Sequence, residues 1–189
     1  MTVMILGLLI FLGVHSVRIV ADDWRTEQIR RMGELPWKAA YAVASIIGLA
    51  IAIWGYGQMR LDPTWVWFPP VGLRHAVALL MIPAFILLAA AYVPGNHIKA
   101  KLGHPMIIAV KLWAFSHLLA NGRLGDIVFF GAFLAWAVLD FRSARRRPQQ
   151  PTVTEPRLVG TAIAVVAGLV LYYLFAFHLH VWITGVPVM

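Results

Sequence analysis

Residues 103–122 read GHPMIIAVKLWAFSHLLANG. The run is apolar over about the length of a membrane-crossing helix, yet it opens on His104, carries Lys111 in its middle and places His117 near its far end. An ionisable side chain at bilayer depth costs roughly 2.5 kcal/mol or more, so a segment holding three of them is expected to face protein, water or a bound group. At about 100° and 1.5 Å per residue, His104 and Lys111 fall within roughly 20° of one another, whereas His117 lies roughly 140° round from His104 and about 20 Å further along. These two histidines cannot share one metal ion, and a metal held by this helix needs an imidazole from another. The plainer reading puts His104 at the interface, lets Lys111 snorkel to the nearer surface and gives His117 a hydrogen bond to a neighbouring helix.

The rest of the chain has the same character. Of its 189 residues 61% are hydrophobic and only 13% charged, with a mean hydropathy of +0.78, whereas soluble domains carry nearer 45–50% apolar residues. Several runs are long enough to cross a bilayer. No ten-residue segments of alternating polarity suggest a barrel. The predicted fold class is all-α, a polytopic integral membrane bundle of about six transmembrane helices. The spans are expected at 3–20, 37–57, 71–93, 103–122, 127–141 and 158–183. Residues 1–141 then form a five-helix core, 142–157 a basic linker that is flexible or laid on anionic headgroups, and 158–189 a sixth helix completing the same domain.

Details along the chain agree. The N-terminal run lacks a basic start and a small-residue cleavage site before Ala21, which predicts a retained helix. Residues 22–36 are charged, with some helical character, and suit the membrane surface. Small residues recur at Ala40, Ala44, Gly48 and Ala52, and again at Gly160, Ala164 and Gly168. Such stripes let helices approach closely, within the bundle or across a homo-oligomer contact. Trp65, Trp67 and Phe68 suit the headgroup belt, and Pro83 is expected to bend the third span.

A net charge of +8 would raise the question of nucleic acid in a soluble protein; here no nucleic acid is expected, because orientation explains the charge. Arg18, Arg25, Arg30, Arg31, Lys38, Lys99, Lys101, Arg142, Arg145, Arg146, Arg147 and Arg157 flank the odd loops, against Arg60, Arg74 and Arg123 at the even ones. The positive-inside rule then predicts that both termini face outward and that the odd loops lie in the cytoplasm. His15 and His104 fall toward the cytoplasmic side, within reach of Lys111. His75, His117, His178 and His180 fall toward the outer side. Depth favours pairing His15 with His104, and His117 with His75, His178 or His180; His178 and His180 point about 200° apart and cannot share a site.

The chain has no cysteine, which removes thiolate ligands, iron–sulfur clusters and covalent haem attachment. Neutral imidazoles on facing helices remain able to hold haem iron, copper or zinc. P-loop, G-x-G-x-x-G and H-E-x-x-H motifs are missing, as is a carboxylate pair inside the membrane.

His104-Pro105-Met106, Lys111-Leu112-Trp113 and His117-Leu118-Leu119-Ala120-Asn121-Gly122 together resemble the signature of the NnrU family of bacterial membrane proteins, and Gly13-Val14-His15-Ser16 and Arg74-His75 extend the likeness over nearly the whole chain. The resemblance implies a role in denitrification, supporting reduction of nitrite and nitric oxide. The family is also similar to plastid zeta-carotene isomerase, which uses haem b; the histidines matching its ligands fall on His15 and His117. That pairing, as haem and metal ligands, conflicts in part with the depth argument, so His75 and His104 stand as second choices and Lys111 as a partner for a haem propionate. Two positions depart from the family pattern: Gly103 stands where many relatives have Arg, which weakens an analogy to membrane methyltransferases, and Arg123 replaces an acidic residue, with Asp126 following later.

Three readings follow. The first is a haem b protein of the membrane acting with a nitrite or nitric oxide reductase system. The second is a haem-dependent isomerase or redox enzyme acting on an apolar small molecule, a lipid-soluble polyene or quinone. The third is a transport or assembly partner without a cofactor. All three take the lipid bilayer as solvent.

Overall fold

A computed structural model describes residues 1–147 and 155–188. Its helices are α1 (Thr2–Val20), α2 (Asp22–Met32), α3 (Glu34–Leu61), α4 (Leu73–Tyr92), α5 (His97–Leu102), α6 (Pro105–Ala120), α7 (Leu124–Arg146) and α8 (Leu158–Leu174). A π-helical turn (Phe175–Leu179) then leads into α9 (His180–Thr184). The chain is an all-α membrane protein. Five helices are long and apolar enough to cross a bilayer, with α8 to α9 counted as one. The sixth, α6, has 16 residues, about 24 Å of rise and short of a hydrocarbon core of about 30 Å.

Two turns shorten α6. At its start Gly103 has φ +73° and ψ −51°, and the His104 amide donates to the Leu102 carbonyl at 2.9 Å. This is a γ-turn of the positive-φ form, a strained geometry that glycine tolerates best. Arginine at this position would be costly in that conformation. At the other end the loop between α3 and α4 lies across the α6–α7 turn. The amides of Val66 and Trp67 donate to the Gly122 carbonyl at 2.9 and 3.2 Å, and Leu124 donates to Thr64 at 2.8 Å. A Cβ on Gly122 would collide with the Trp67 carbonyl.

Other boundaries shift for local reasons. The span expected at 127–141 begins at Leu124 and runs to Arg146, 23 residues, because arginine and alanine are good helix formers and the charged turns stand clear of the apolar layer. The expected linker at 142–157 is therefore helical at its start; residues 148–154 lie outside the described residues. Of the 22–36 stretch, residues 22–32 are the charged helix α2, held by Glu27 to Arg30 and Arg31 ion pairs at 2.8 and 2.6 Å, and residues 34–36 open α3.

Both small-residue stripes are used inside the chain. Gly48 and Ala52 are buried against α1, where a Cβ on Gly48 would lie 2.7 Å from the Phe11 amide nitrogen; Ala40, in the first turns, stays exposed. Gly160, Ala164 and Gly168 are buried, and α8 packs on α4. The helices make a row: α3 on α1, both on α7, then α6, α4 and α8. Among the described residues no Cα of α3 comes within 8 Å of α4, α5 or α6. The row is thus an open arc. A core of Met4, Leu8, Ala52, Ala114, Phe129, Phe130 and Phe133 fills its middle.

Candidate ligand cavity

At the arginine- and lysine-rich end, where glycine gives way to rings along α1 and α3, the helices leave a cavity of about 920 Å³. Its apolar depth is made by Val14, Tyr41, Ile107, Val110 and Trp136, with His15 and His104 among them. Arg18, Arg25, Lys38, Lys99 and Arg147 stand at its mouth against two carboxylates, Glu34 and Asp140. Lys38 is paired with Glu34 at 2.7 Å and Arg147 with Asp140 at 3.6 Å, while Arg18 and Arg25 share Asp22 at 3.9 and 3.4 Å, so the mouth keeps an excess of positive charge, with Lys99 in no ion pair among the described residues.

His15 is held in a definite way. Its Nδ1 lies 2.7 Å from the Phe11 carbonyl, and an acceptor-only oxygen requires Nδ1 to carry the proton. In the neutral ring Nε2 is then the bare nitrogen, the arrangement found in histidines that ligate metals. The ring sits 4.2 Å from Phe11, 5.1 Å from Tyr41 and edge-on to Trp136 at 5.8 Å, centroid to centroid. His104 Nε2 and Trp136 Nε1 are buried without a protein partner. A buried polar atom left unpaired costs about 1–3 kcal/mol, and both such atoms belong to residues lining this cavity.

His117 shares the anchoring but not the cavity. Its Nδ1 donates to the Trp113 carbonyl at 2.8 Å, and its ring stacks on Phe130 at 4.5 Å. Ring contacts run from Phe11 to Phe133 at 5.7 Å and from Phe133 to Trp113 at 5.3 Å. His15 lies one turn to the basic side of this layer and His117 one turn beyond it, roughly 12 Å apart in depth. Around His117 are the polar groups of the opposite end. Asp126, only 2% exposed, accepts a short hydrogen bond from the Tyr56 hydroxyl, while its second oxygen has no partner. Asn121 donates its side-chain amide to the His117 carbonyl at 2.9 Å.

The central residues that carried the sequence resemblance thus line up as one structural unit, from the γ-turn before His104 to the Asn121-Gly122 cap, with Gly13–Ser16 on α1 and Arg74-His75 on α4. The family described as NnrU protein matches residues 3–188. The chain belongs to the NnrU family. No curated protein and no solved structure matches it.

Of the candidate residues in this NnrU chain, the structure brings His15 and His104 to one cavity and leaves the others apart. His75 is exposed in the first turn of α4. Lys111 places its ammonium 4.0 Å over the Phe141 ring, a cation–π contact at the basic end of α7, and does not line the cavity. His178 is exposed, whereas His180 donates Nδ1–H to the Val186 carbonyl at 2.8 Å. His97 ties α5 to Thr161 of α8 at 2.9 Å. Among the described residues no cluster of three histidine or carboxylate side chains could hold a metal ion, so a bare tetrahedral centre is not built here. Sequence reading missed Trp136, Tyr41 and Asn96 of the cavity and the buried Tyr56–Asp126 pair. Asn96 alone had a local signal, as the residue after Pro94-Gly95: its side chain caps α5 by accepting from the Lys99 amide at 2.7 Å.

Proposed function

We propose that this NnrU-family membrane protein binds haem b in the cavity at its basic end, with His15 as an iron ligand, and that it supports nitrite and nitric oxide reduction at the bacterial inner membrane. The observation that carries the reading is the bare Nε2 of His15, its Nδ1–H fixed on the Phe11 carbonyl, on a cavity of about 920 Å³. The donor set suits the group: without cysteine the iron relies on imidazole, and the excess of cationic over acidic side chains at the mouth, Lys99 in particular, suits a propionate. Bound haem would supply an iron centre for a nitrogen oxide or an electron. The protein's own part is to fix the tautomer and ring plane of His15, to exclude water with Tyr41 and Trp136, and to offer the propionates a positive mouth. With arginine and lysine concentrated at this end, the positive-inside rule makes it the cytoplasmic face, with both termini periplasmic.

His104 is the second histidine in the wall of the same cavity, with its Nε2 shut off from the open space by its neighbours. The resemblance names His117 instead, which has the same anchored Nδ1–H one aromatic layer away. Either would reach an iron on His15 only after moving, His104 by turning its ring and His117 by closing a separation of roughly 12 Å in depth. Absorption spectra of the purified protein, expressed with ample haem, test this. A Soret band is expected, lost in His15→Ala, and altered in whichever of His104→Ala and His117→Ala removes the second ligand. A wild-type protein without a Soret band would refute the proposal.

One observation favours a second reading, an enzyme acting on a lipid-soluble polyene or quinone. The arc is open between α3 and α5–α6, and the cavity is lined from both sides of that gap, so an apolar molecule could reach it sideways from the bilayer. Conversion of such a substrate by reconstituted protein would support this reading, and binding of haem with no turnover of any apolar substrate would count against it.

A further inference from the structure

A second hollow, about 540 Å³, lies on the flank of the basic end between the last turns of α1 and α7. Its construction follows from sequence spacing: Leu139, Arg142, Ser143 and Arg146 are spaced as i, i+3, i+4 and i+7, so they form one stripe of α7. Across from them α1 and its exit supply Arg18, Ile19 and Asp22, and Arg147 closes the end. Four guanidinium groups thus face one carboxylate.

Two of the four are already occupied. Arg147 donates to the Ser143 hydroxyl at 2.7 Å and to the Arg18 carbonyl at 3.2 Å, and Arg18 stands 3.9 Å from Asp22. Arg142 and Arg146 make no ion pair among the described residues. The groove runs from these charges toward Leu139, which is 55% exposed on the lipid-facing side of the bundle. A cationic head joined to an apolar wall at the membrane boundary has the polarity of a phospholipid read from headgroup to chain. Guanidinium forks also match phosphate oxygens in pairs.

We propose that this groove binds the headgroup phosphate of an anionic glycerophospholipid on Arg142 and Arg146, with an acyl chain lying along Ile19 and Leu139. Anionic headgroups are drawn to basic pockets between membrane helices. The groove shares Arg18 and Arg147 with the larger cavity, but Arg142 and Arg146 line the groove alone, so the lipid proposal does not rest on the haem proposal.

Native mass spectrometry of the full chain, released from detergent with added dioleoyl phosphatidylglycerol or phosphatidylcholine, tests it. The wild-type protein should retain phosphatidylglycerol at about tenfold lower lipid concentration. Arg142→Ala with Arg146→Ala should abolish the preference, and Lys101→Ala with Arg145→Ala, an equal loss of charge at exposed positions of the same end, should keep it. If the alanine pair does not elute from a sizing column as the wild type does, Arg142→Gln with Arg146→Gln serves in its place. Equal retention of the two lipids, a preserved preference in the groove variant or an equal loss in the control would overturn the proposal. So would displacement of the lipid by millimolar inorganic phosphate, which would make the groove a site for a soluble anion.

Discussion

Replacing His104 by leucine should change stability and ligand affinity in opposite directions. His104 Nε2 is buried and unpartnered, and an unsatisfied buried polar atom costs about 1–3 kcal/mol. Leucine fills a similar volume and removes that penalty, so protein purified without haem should gain about 1–2 kcal/mol. For a chain of this length each kcal/mol moves a thermal midpoint by about 2–4 °C, giving an upward shift of about 2–8 °C. In the presence of haem b the same change removes an imidazole from the cavity wall, and loss of a group that ligates or orients a ligand weakens metal binding by about 10–100-fold. Thermal unfolding in detergent gives the first quantity and Soret titration the second. A lower midpoint in the haem-free variant would mean that the ring already has a partner. An unchanged haem affinity would mean that the cavity does not use it, and either result refutes the reasoning.

Tyr56→Phe should destabilise the protein by about 1–3 kcal/mol, because it leaves both oxygens of buried Asp126 without a partner; unfolding in detergent measures it, and Tyr56→Phe combined with Asp126→Leu should recover most of the loss. Gly122→Ala should cost about 1–3 kcal/mol, since its Cβ would force the Trp67 carbonyl away, and limited proteolysis should then cut the loop between α3 and α4 sooner than in the wild type. Glu27, beside Arg30 and Arg31, has its carboxyl held below the usual range by those guanidinium hydrogen bonds. Its contribution to α2 is therefore present above a pH of about 4.3 and lost as pH falls through the lowered folded value. Glu27→Gln should flatten the acid limb of a protease-sensitivity profile of α2, with a small amplitude because the pair is exposed.

Much of the fold was legible because one physical rule dominates it. Apolar runs long enough to cross a bilayer have few alternatives to helix, and the stripes around Gly48 and Gly160 announced where backbones meet. The ends of α6 were legible too, since the helix occupies 105–120 of the expected 103–122 span. The loop laid on Gly122 was not, being a tertiary arrangement. Depth along the membrane proved readable, since His15 and His104 reach one cavity and His117 lies on the far side of an aromatic layer. What the pattern could not show was lateral order. That α3 stays clear of α4, α5 and α6, opening the arc, depends on which faces pair among several equally apolar helices. Trp136 and Tyr41 were invisible for the same reason, being two aromatics among many until packing turned them toward His15.

The distribution of small and large residues along α1 and α3 links packing to the candidate chemistry. Toward the far end Gly7, Gly48 and Gly55 bring the two backbones into contact, which fixes the rotation of α1 about its axis. Toward the basic end Phe11, His15 and Tyr41 replace glycine, and the same two helices are separated by rings. A helix clamped at one end presents its side chains at the other in a set direction, and His15 is further held by its own Phe11 carbonyl. The imidazole is therefore positioned before any ligand arrives, with the ordering entropy already met by the glycine-lined contact; such preorganisation raises affinity without adding a contact. A histidine kept only to join helices would need no bare nitrogen on a cavity, and His97, which spends its Nδ1 on Thr161 of α8, shows how this chain builds that simpler kind.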